Sequence, residues 1–333
     1  MYLQNLTIRL AEGLAKQPEE FRARHVAYLK ADQNADGGFS GREGESDLYY
    51  TGFALRALAV LNALDADLRA KAARYLRQSL TQQASVVDFF SLLYCCFLLQ
   101  HGGGPDVLAD APADWPQRVA AELETFRTAD GGYAKAAGGV SGSTYHTFLV
   151  GLCYQLLEKP LPRPEEIEKF VASRRREDGG YVELAPMKRS GTNPTAAALG
   201  VGALLAELSK PASTELSEAA LAQAGQLLEE LAATGRFLAE MVSPEEGGFR
   251  ANSRAPVADL LSTFTGLWTL DQLGLLDSID RAAALRYAQD LELPAGGFRA
   301  GLWDDSRDVE YTFYGLGVIG LLRIADCGLR IQE

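Results

Sequence analysis

Four carboxylates stand where apolar helices are expected to begin: Asp47 before LYYTGFALRAL, Asp88 within VVDFFSLL, Asp259 before LLSTF, and Glu310 within DVEYTFYGL. A carboxylate at such a place has two uses. It can cap the helix by accepting its free N–H groups. Turned into a dry interior, it holds its proton to higher pH and can act as a general acid. Asp259, Glu310 and the neighbouring Tyr311 are the candidates for catalysis. Rings recur at the same level, and Tyr50, Tyr145, Phe264, Trp268 and Tyr314 are the candidates for substrate contact. Their faces suit a hydrocarbon, and they stabilise a passing carbocation. Two loops supply cations, Lys188 and Arg189 in KRSGTNPTA and Arg250 and Arg254 in RANSRAPVAD. Arginine forks bind phosphate in bidentate fashion; loop cations also serve in surface ion pairs.

Other groups carry less. Cys95, Cys96, Cys153 and Cys327 form no CxxC pair, and the first two lie in the apolar run LLYCCFLL, as buried reduced thiols do. His25, His101 and His146 are scattered, so no metal-ligand spacing appears. DDSRD (Asp304, Asp305, Asp308) has the letter pattern of a magnesium-diphosphate motif but reads as a solvated acidic loop. The basic triplet Arg174–Arg176 is followed at once by Glu177 and Asp178 and reads as a helix end. The net charge of -12 argues against nucleic acid, which needs clustered cations. The N-terminal segment lacks the basic start and apolar core of a signal peptide. No run approaches the roughly 18 apolar residues of a membrane span. A cytoplasmic location is expected.

These residues must be positioned by a repeat. A Gly-Gly-aromatic turn occurs at Gly37–Phe39, Gly131–Tyr133, Gly179–Tyr181, Gly247–Phe249 and Gly296–Phe298. The first glycines are 94, 48, 68 and 49 residues apart. The interval of 94 implies a degenerate repeat near TQQASVVDFFSLLYCCFLL, and that of 68 an insertion around Ser209–Glu218. Paired glycines permit positive φ and a tight reversal. Each turn joins a charged amphipathic segment to one that is apolar nearly all round, such as NPTAAALGVGALLAEL. The first kind suits an outer layer and the second a core buried on several faces. An all-α toroid of six helical hairpins follows, taking residues 1–333 as a single unit.

The DGGF-type turns and inner-helix starts such as DLYYTGFALRAL and NPTAAAL resemble the β subunits of protein prenyltransferases and the related squalene and terpene cyclases. The resemblance covers nearly the whole chain. It implies an α/α toroid with its chemistry at the N-terminal ends of the inner helices. It also implies a prenyl diphosphate or other isoprenoid ligand and an α-helical solenoid partner. The zinc centre of the prenyltransferases does not carry over. Asp259 matches their Asp, but Leu261 stands at the Cys position and Tyr311 at the His position. The acid motif of protonating cyclases does not carry over either, since Asn193 and Pro194 replace its carboxylates. The expectation is an isoprenoid-binding toroid without zinc, with magnesium only alongside a diphosphate. The alternatives are a prenyltransferase or cyclase that uses cavity carboxylates, and a non-enzymatic scaffold.

Overall fold

The computed structural model describes residues 1–80, 84–208 and 218–325. Its helices are α1 (Tyr2–Leu14), α2 (Glu19–Ala31), α3 (Leu48–Val60), α4 (Ala66–Gln78), α5 (Val86–His101), α6 (Trp115–Glu124), α7 (Thr144–Leu156), α8 (Pro164–Arg174), α9 (Thr192–Leu208), α10 (Glu218–Glu240), α11 (Leu260–Gln272), α12 (Arg281–Asp290) and α13 (Val309–Ala325). From α3 onward the odd-numbered helices form an inner ring. Each packs on the next, and α13 returns to α3, which closes the ring. The even-numbered helices form the outer layer. Part of the long interval is the length of α10, at 23 residues; Ser209–Ser217 and Cys327 lie outside the described residues.

The turns lock the two layers together by one repeated device. The first glycine of each has positive φ, between 83° and 97°. A side chain there would strike a backbone carbonyl of the next outer helix: Lys71, Glu166, Ala233, Ala283 and, closing the circle, Arg24. Glycine is therefore needed for conformation and for close approach. The aromatic that follows is buried; Phe39, Tyr133, Phe249 and Phe298 are at 0% exposure. Its backbone N–H needs an acceptor. A buried threonine on the following inner helix supplies one each time: Thr51, Thr147, Thr195, Thr263 and Thr312. Carbonyls two residues past four of these aromatics, on Lys135, Glu183, Ala251 and Ala300, accept from the first N–H of α5, α7, α9 and α11, joining neighbouring repeats.

Helix α1 stands apart from the repeat and crosses the ring towards the ends of the inner helices. Its Tyr2 N–H donates to Gln155 of α7 (2.9 Å), and Trp268 of α11 donates to the Tyr2 hydroxyl (2.6 Å). Thr7 meets the Tyr94 hydroxyl of α5 (2.9 Å), Arg9 pairs with Asp271 (2.9 Å), and Gly13 lies directly against Gly320 of α13.

Candidate functional site

The inner ring encloses a cavity of about 390 Å³, lined by side chains of α1, the six inner helices and one loop. This falls within the roughly 300–1,000 Å³ usual for small-molecule sites. The buried threonines give the register of its wall. The residue two before each is Tyr49, Tyr145, Asn193, Leu261 or Glu310; all but Glu310 line the cavity. The residue two after each is Phe53, Leu149, Ala197, Thr265 or Tyr314, and all five line it. A third tier, five after, places Arg56, Leu152 and Trp268 in the wall, with Gly200 and Gly317 at the equivalent positions. Phe148 and Phe264 fill the space over those two glycines. Tyr2, Leu3 and Leu6 of α1 complete the lining.

Glu310 sits behind two of the rings. The Tyr49 hydroxyl donates to its carboxylate (2.6 Å), and the Tyr314 hydroxyl is 3.5 Å from the same oxygen. Burial pushes the Glu310 carboxyl above its ordinary value; hydrogen bonding from Tyr49 opposes this without reversing it. Burial likewise raises the Tyr314 phenol far above 10.

Two charged side chains that line the cavity did not emerge from the sequence. Glu183 accepts hydrogen bonds from the Ser143 hydroxyl, the Thr144 hydroxyl (2.9 Å) and the Tyr145 N–H (3.3 Å). Arg56 lies under a group of rings, its guanidinium carbon 3.9 Å from the centre of Phe53 and 4.9 Å from that of Phe313. Phe90 and Tyr94 are at 5.9 and 5.8 Å. The signal for Arg56 was present: a single charge in the otherwise apolar helix LYYTGFALRALAV, where unpaired cations are rare.

Of the residues expected from sequence, Tyr145, Phe264, Trp268 and Tyr314 line the cavity. Tyr50 does not; it packs on Tyr49 (5.2 Å) and over Gly41. Asp259 caps α11, accepting from the Ser262 N–H (2.7 Å) and hydroxyl (2.8 Å), and stands outside the lining while Leu261 enters it. Asp47 caps α3, and Asp88 completes a capping box with Ser85. Tyr311 also stays out of the lining, its N–H bound to Asp308 (2.8 Å).

The four loop cations are likewise not in the wall. Arg250 binds the Glu240 carbonyl at the end of α10, Arg189 reaches Ser253, and Lys188 and Arg254 are exposed. The two loops that carry them are paired with each other through the Gly191–Asn252 bridge. The acidic string DDSRD is occupied as well: Arg42 binds both Asp304 and Asp308. Burial alone raises the Asp304 carboxyl, but hydrogen bonds from Arg42 and from backbone N–H groups outweigh it and hold the group below its ordinary value.

The histidines lie apart. His25 is buried, its Nδ1 accepting from the Gly297 N–H (3.0 Å) while Nε2 faces Glu292 (3.1 Å). Among the described residues no group of three His, Cys, Asp or Glu side chains could hold a metal ion. None of their helices is long and apolar enough to cross a membrane.

Comparison with known proteins places this architecture. The prenyltransferase alpha-alpha toroid domain matches residues 3–92, 70–229 and 217–331, and the chain belongs to that family. No curated protein matches it in sequence. Among solved structures, the protein geranylgeranyltransferase-I of Candida albicans, complexed with GGPP, is 14% identical with a TM-score of 0.63, covering 89% of each chain. A type II terpene cyclase from Scytonema, in complex with geranylgeranyl dihydroxybenzoate, is 15% identical with a TM-score of 0.58, covering 98% of this chain and 100% of its own. An alpha-1,6-mannanase from Salegentibacter, 12% identical, also has a TM-score of 0.58, covering 92% and 98%. At these identities the likeness shows the fold alone, so function has to be argued from the cavity.

Proposed function

We propose that this toroid-family chain binds an isoprenoid in its central cavity, without a zinc centre of the prenyltransferase kind. One observation carries the reading: the wall is built of aromatic and aliphatic side chains from every inner helix, with α1 laid across it. Such a surface favours a flexible hydrocarbon. It offers little to a carbohydrate, which needs many convergent polar groups. The solved neighbours that hold GGPP and a geranylgeranyl compound point the same way. The zinc positions support it too. Leu261 turns an aliphatic chain into the cavity where a thiolate would be needed, and Asp259 is engaged in capping.

A second reading is turnover of the ligand. The favouring observation is Glu310, an acid with its proton-binding strengthened by burial, one hydroxyl away from the cavity through Tyr49. The surrounding rings would stabilise a cationic intermediate. A diphosphate, with or without magnesium, has less support, because none of the four loop cations reaches the wall. For an α-helical solenoid partner, the outer surface of α10 is the natural seat, since Leu227 and Leu228 are exposed there.

The test is thermal unfolding of the purified chain with farnesol, geranylgeraniol and their diphosphates, followed by mass spectrometry of the recovered ligands. Binding at 100 times Kd should stabilise the fold by about 2.7 kcal/mol. No stabilisation at any solubility-limited concentration would sink the isoprenoid reading. A cyclised or transferred product would establish the second.

A further inference from the structure

Among the described residues that line the cavity, Arg56 is the one cation and Glu183 the one carboxylate. In the equivalent tier the other threonine-marked repeats place Leu152, Gly200, Trp268 and Gly317, so nothing in the repeat requires a charge there. The rings of Phe53, Phe313, Phe90 and Tyr94 attract the faces of the guanidinium. They do nothing for its edges, where its N–H donors lie. Of these, Nε donates to the Gly52 carbonyl (3.0 Å). The two terminal amino groups meet no acceptor among the described residues. Glu183 is not their partner; it is already held by Ser143, Thr144 and the backbone of α7, and no ion pair joins it to Arg56. The side chain is only half-buried, and these donors are open to water or to a ligand in the cavity.

We infer that Arg56 is the anchor for a carboxylate head group on the ligand, held inside the cavity by the two terminal amino groups. A carboxylate accepts two parallel N–H bonds from such a fork. The charge balance favours a single negative charge. One guanidinium matches a monoanion, whereas a diphosphate would bring several charges to a wall that also carries Glu183. The ligand class is thus a polyprenyl acid, or a prenyl chain joined to a carboxylate. This rests on the isoprenoid reading of the cavity and adds the head group to it.

The experiment is calorimetric titration of the full chain with geranylgeranoic acid, geranylgeraniol and geranylgeranyl diphosphate at pH 7.5. The three share one hydrocarbon and differ in the head. The acid should bind about tenfold or more tightly than the alcohol, the size expected of hydrogen bonds to a charged group. In Arg56→Met that ratio should fall to about one, and Arg56→Lys should keep part of it, since the charge remains without the fork. Equal binding of acid and alcohol to the unaltered chain overturns the Arg56 inference and leaves the isoprenoid reading standing. Tighter binding of the diphosphate than of the acid does the same. Binding of none of the three removes both. The comparison of heads on the unaltered chain decides the matter even if Arg56→Met fails to fold.

Discussion

The glycine turns and the cavity wall belong to the same repeats but use them in opposite ways. At the turns one solution recurs: a positive-φ glycine against the next outer helix, and a buried aromatic whose N–H is taken by a threonine. At the wall and directly behind it, the positions fixed by those threonines hold a different set of residues in each tier. Two before, the set is Tyr49, Tyr145, Asn193, Leu261 and Glu310; five after, it is Arg56, Leu152, Gly200, Trp268 and Gly317. The same register therefore serves two purposes. What is repeated builds the ring, and what varies within the repeat gives the cavity its chemistry.

Substitution costs most at a turn glycine. Alanine at Gly179 would keep a left-handed φ of 87° and put its Cβ 2.6 Å from the Ala233 carbonyl oxygen. The conformation costs roughly 1–2 kcal/mol and the overlap roughly 1–3. Gly179→Ala should thus lose about 3 kcal/mol or more in urea unfolding. Gly103 supplies the control, with φ of 74° and nothing within 4 Å of where a Cβ would stand. Gly103→Ala should cost only about 1 kcal/mol. Equal losses at the two sites would show that conformation, and not the approach of the next helix, is what the turn glycines provide.

The threonine that joins turn to wall comes next. Thr195 accepts from the Tyr181 N–H (2.9 Å) and donates to the Gly191 carbonyl (2.7 Å), entirely buried. Thr195→Val preserves shape and removes both bonds. A buried donor left without a partner costs about 1–3 kcal/mol, so a loss of about 2 kcal/mol is expected in the same assay. A change below about 0.5 kcal/mol would mean that the threonines mark the register without enforcing it.

These two sites also explain what the sequence disclosed and what it withheld. The turns were legible because glycine pairs and aromatics are rare, strongly constrained and spaced at a near-constant interval. The inner helices were legible because they are apolar nearly all round. That same property hid the cavity face: no polar side marks which way residues such as Leu149 or Phe264 point. The threonines break the degeneracy, but their role depends on a hydrogen bond from a residue 12 or 14 positions earlier, as between Phe39 and Thr51 or Tyr181 and Thr195. Asp259 and Glu310 illustrate the remainder. Each is a carboxylate near a helix start, yet a small difference in position matters. Asp259 is at the N-cap and spends its oxygens on Ser262; Glu310 is inside the first turn and meets Tyr49 of the neighbouring inner helix. Helix α1 left no repeat signature, because its contacts are with the ring as a whole.

Glu310, behind the wall, yields the smallest effect, with a pH dependence opposite in sign to that of a loop carboxylate. Its folded pKa lies above the ordinary 4.5, so the folded state holds the proton more tightly than the unfolded chain does. Stability from this group is complete below about 4.5 and is lost as pH rises through the folded value. Asp304, paired with Arg42 in the loop before α13, has a lowered pKa and works in reverse: its contribution is present above 3.8 and lost as pH falls. Glu310→Gln keeps an acceptor for the Tyr49 hydroxyl and removes the charge. It should flatten the decline on the alkaline side and leave the variant more stable than the unaltered chain at pH 8. Urea midpoints between pH 4.5 and 8 measure this directly. Parallel curves for the two proteins would mean that Glu310 is as well solvated as a surface carboxylate. In that case Tyr49 and Tyr314 would owe their position to packing alone.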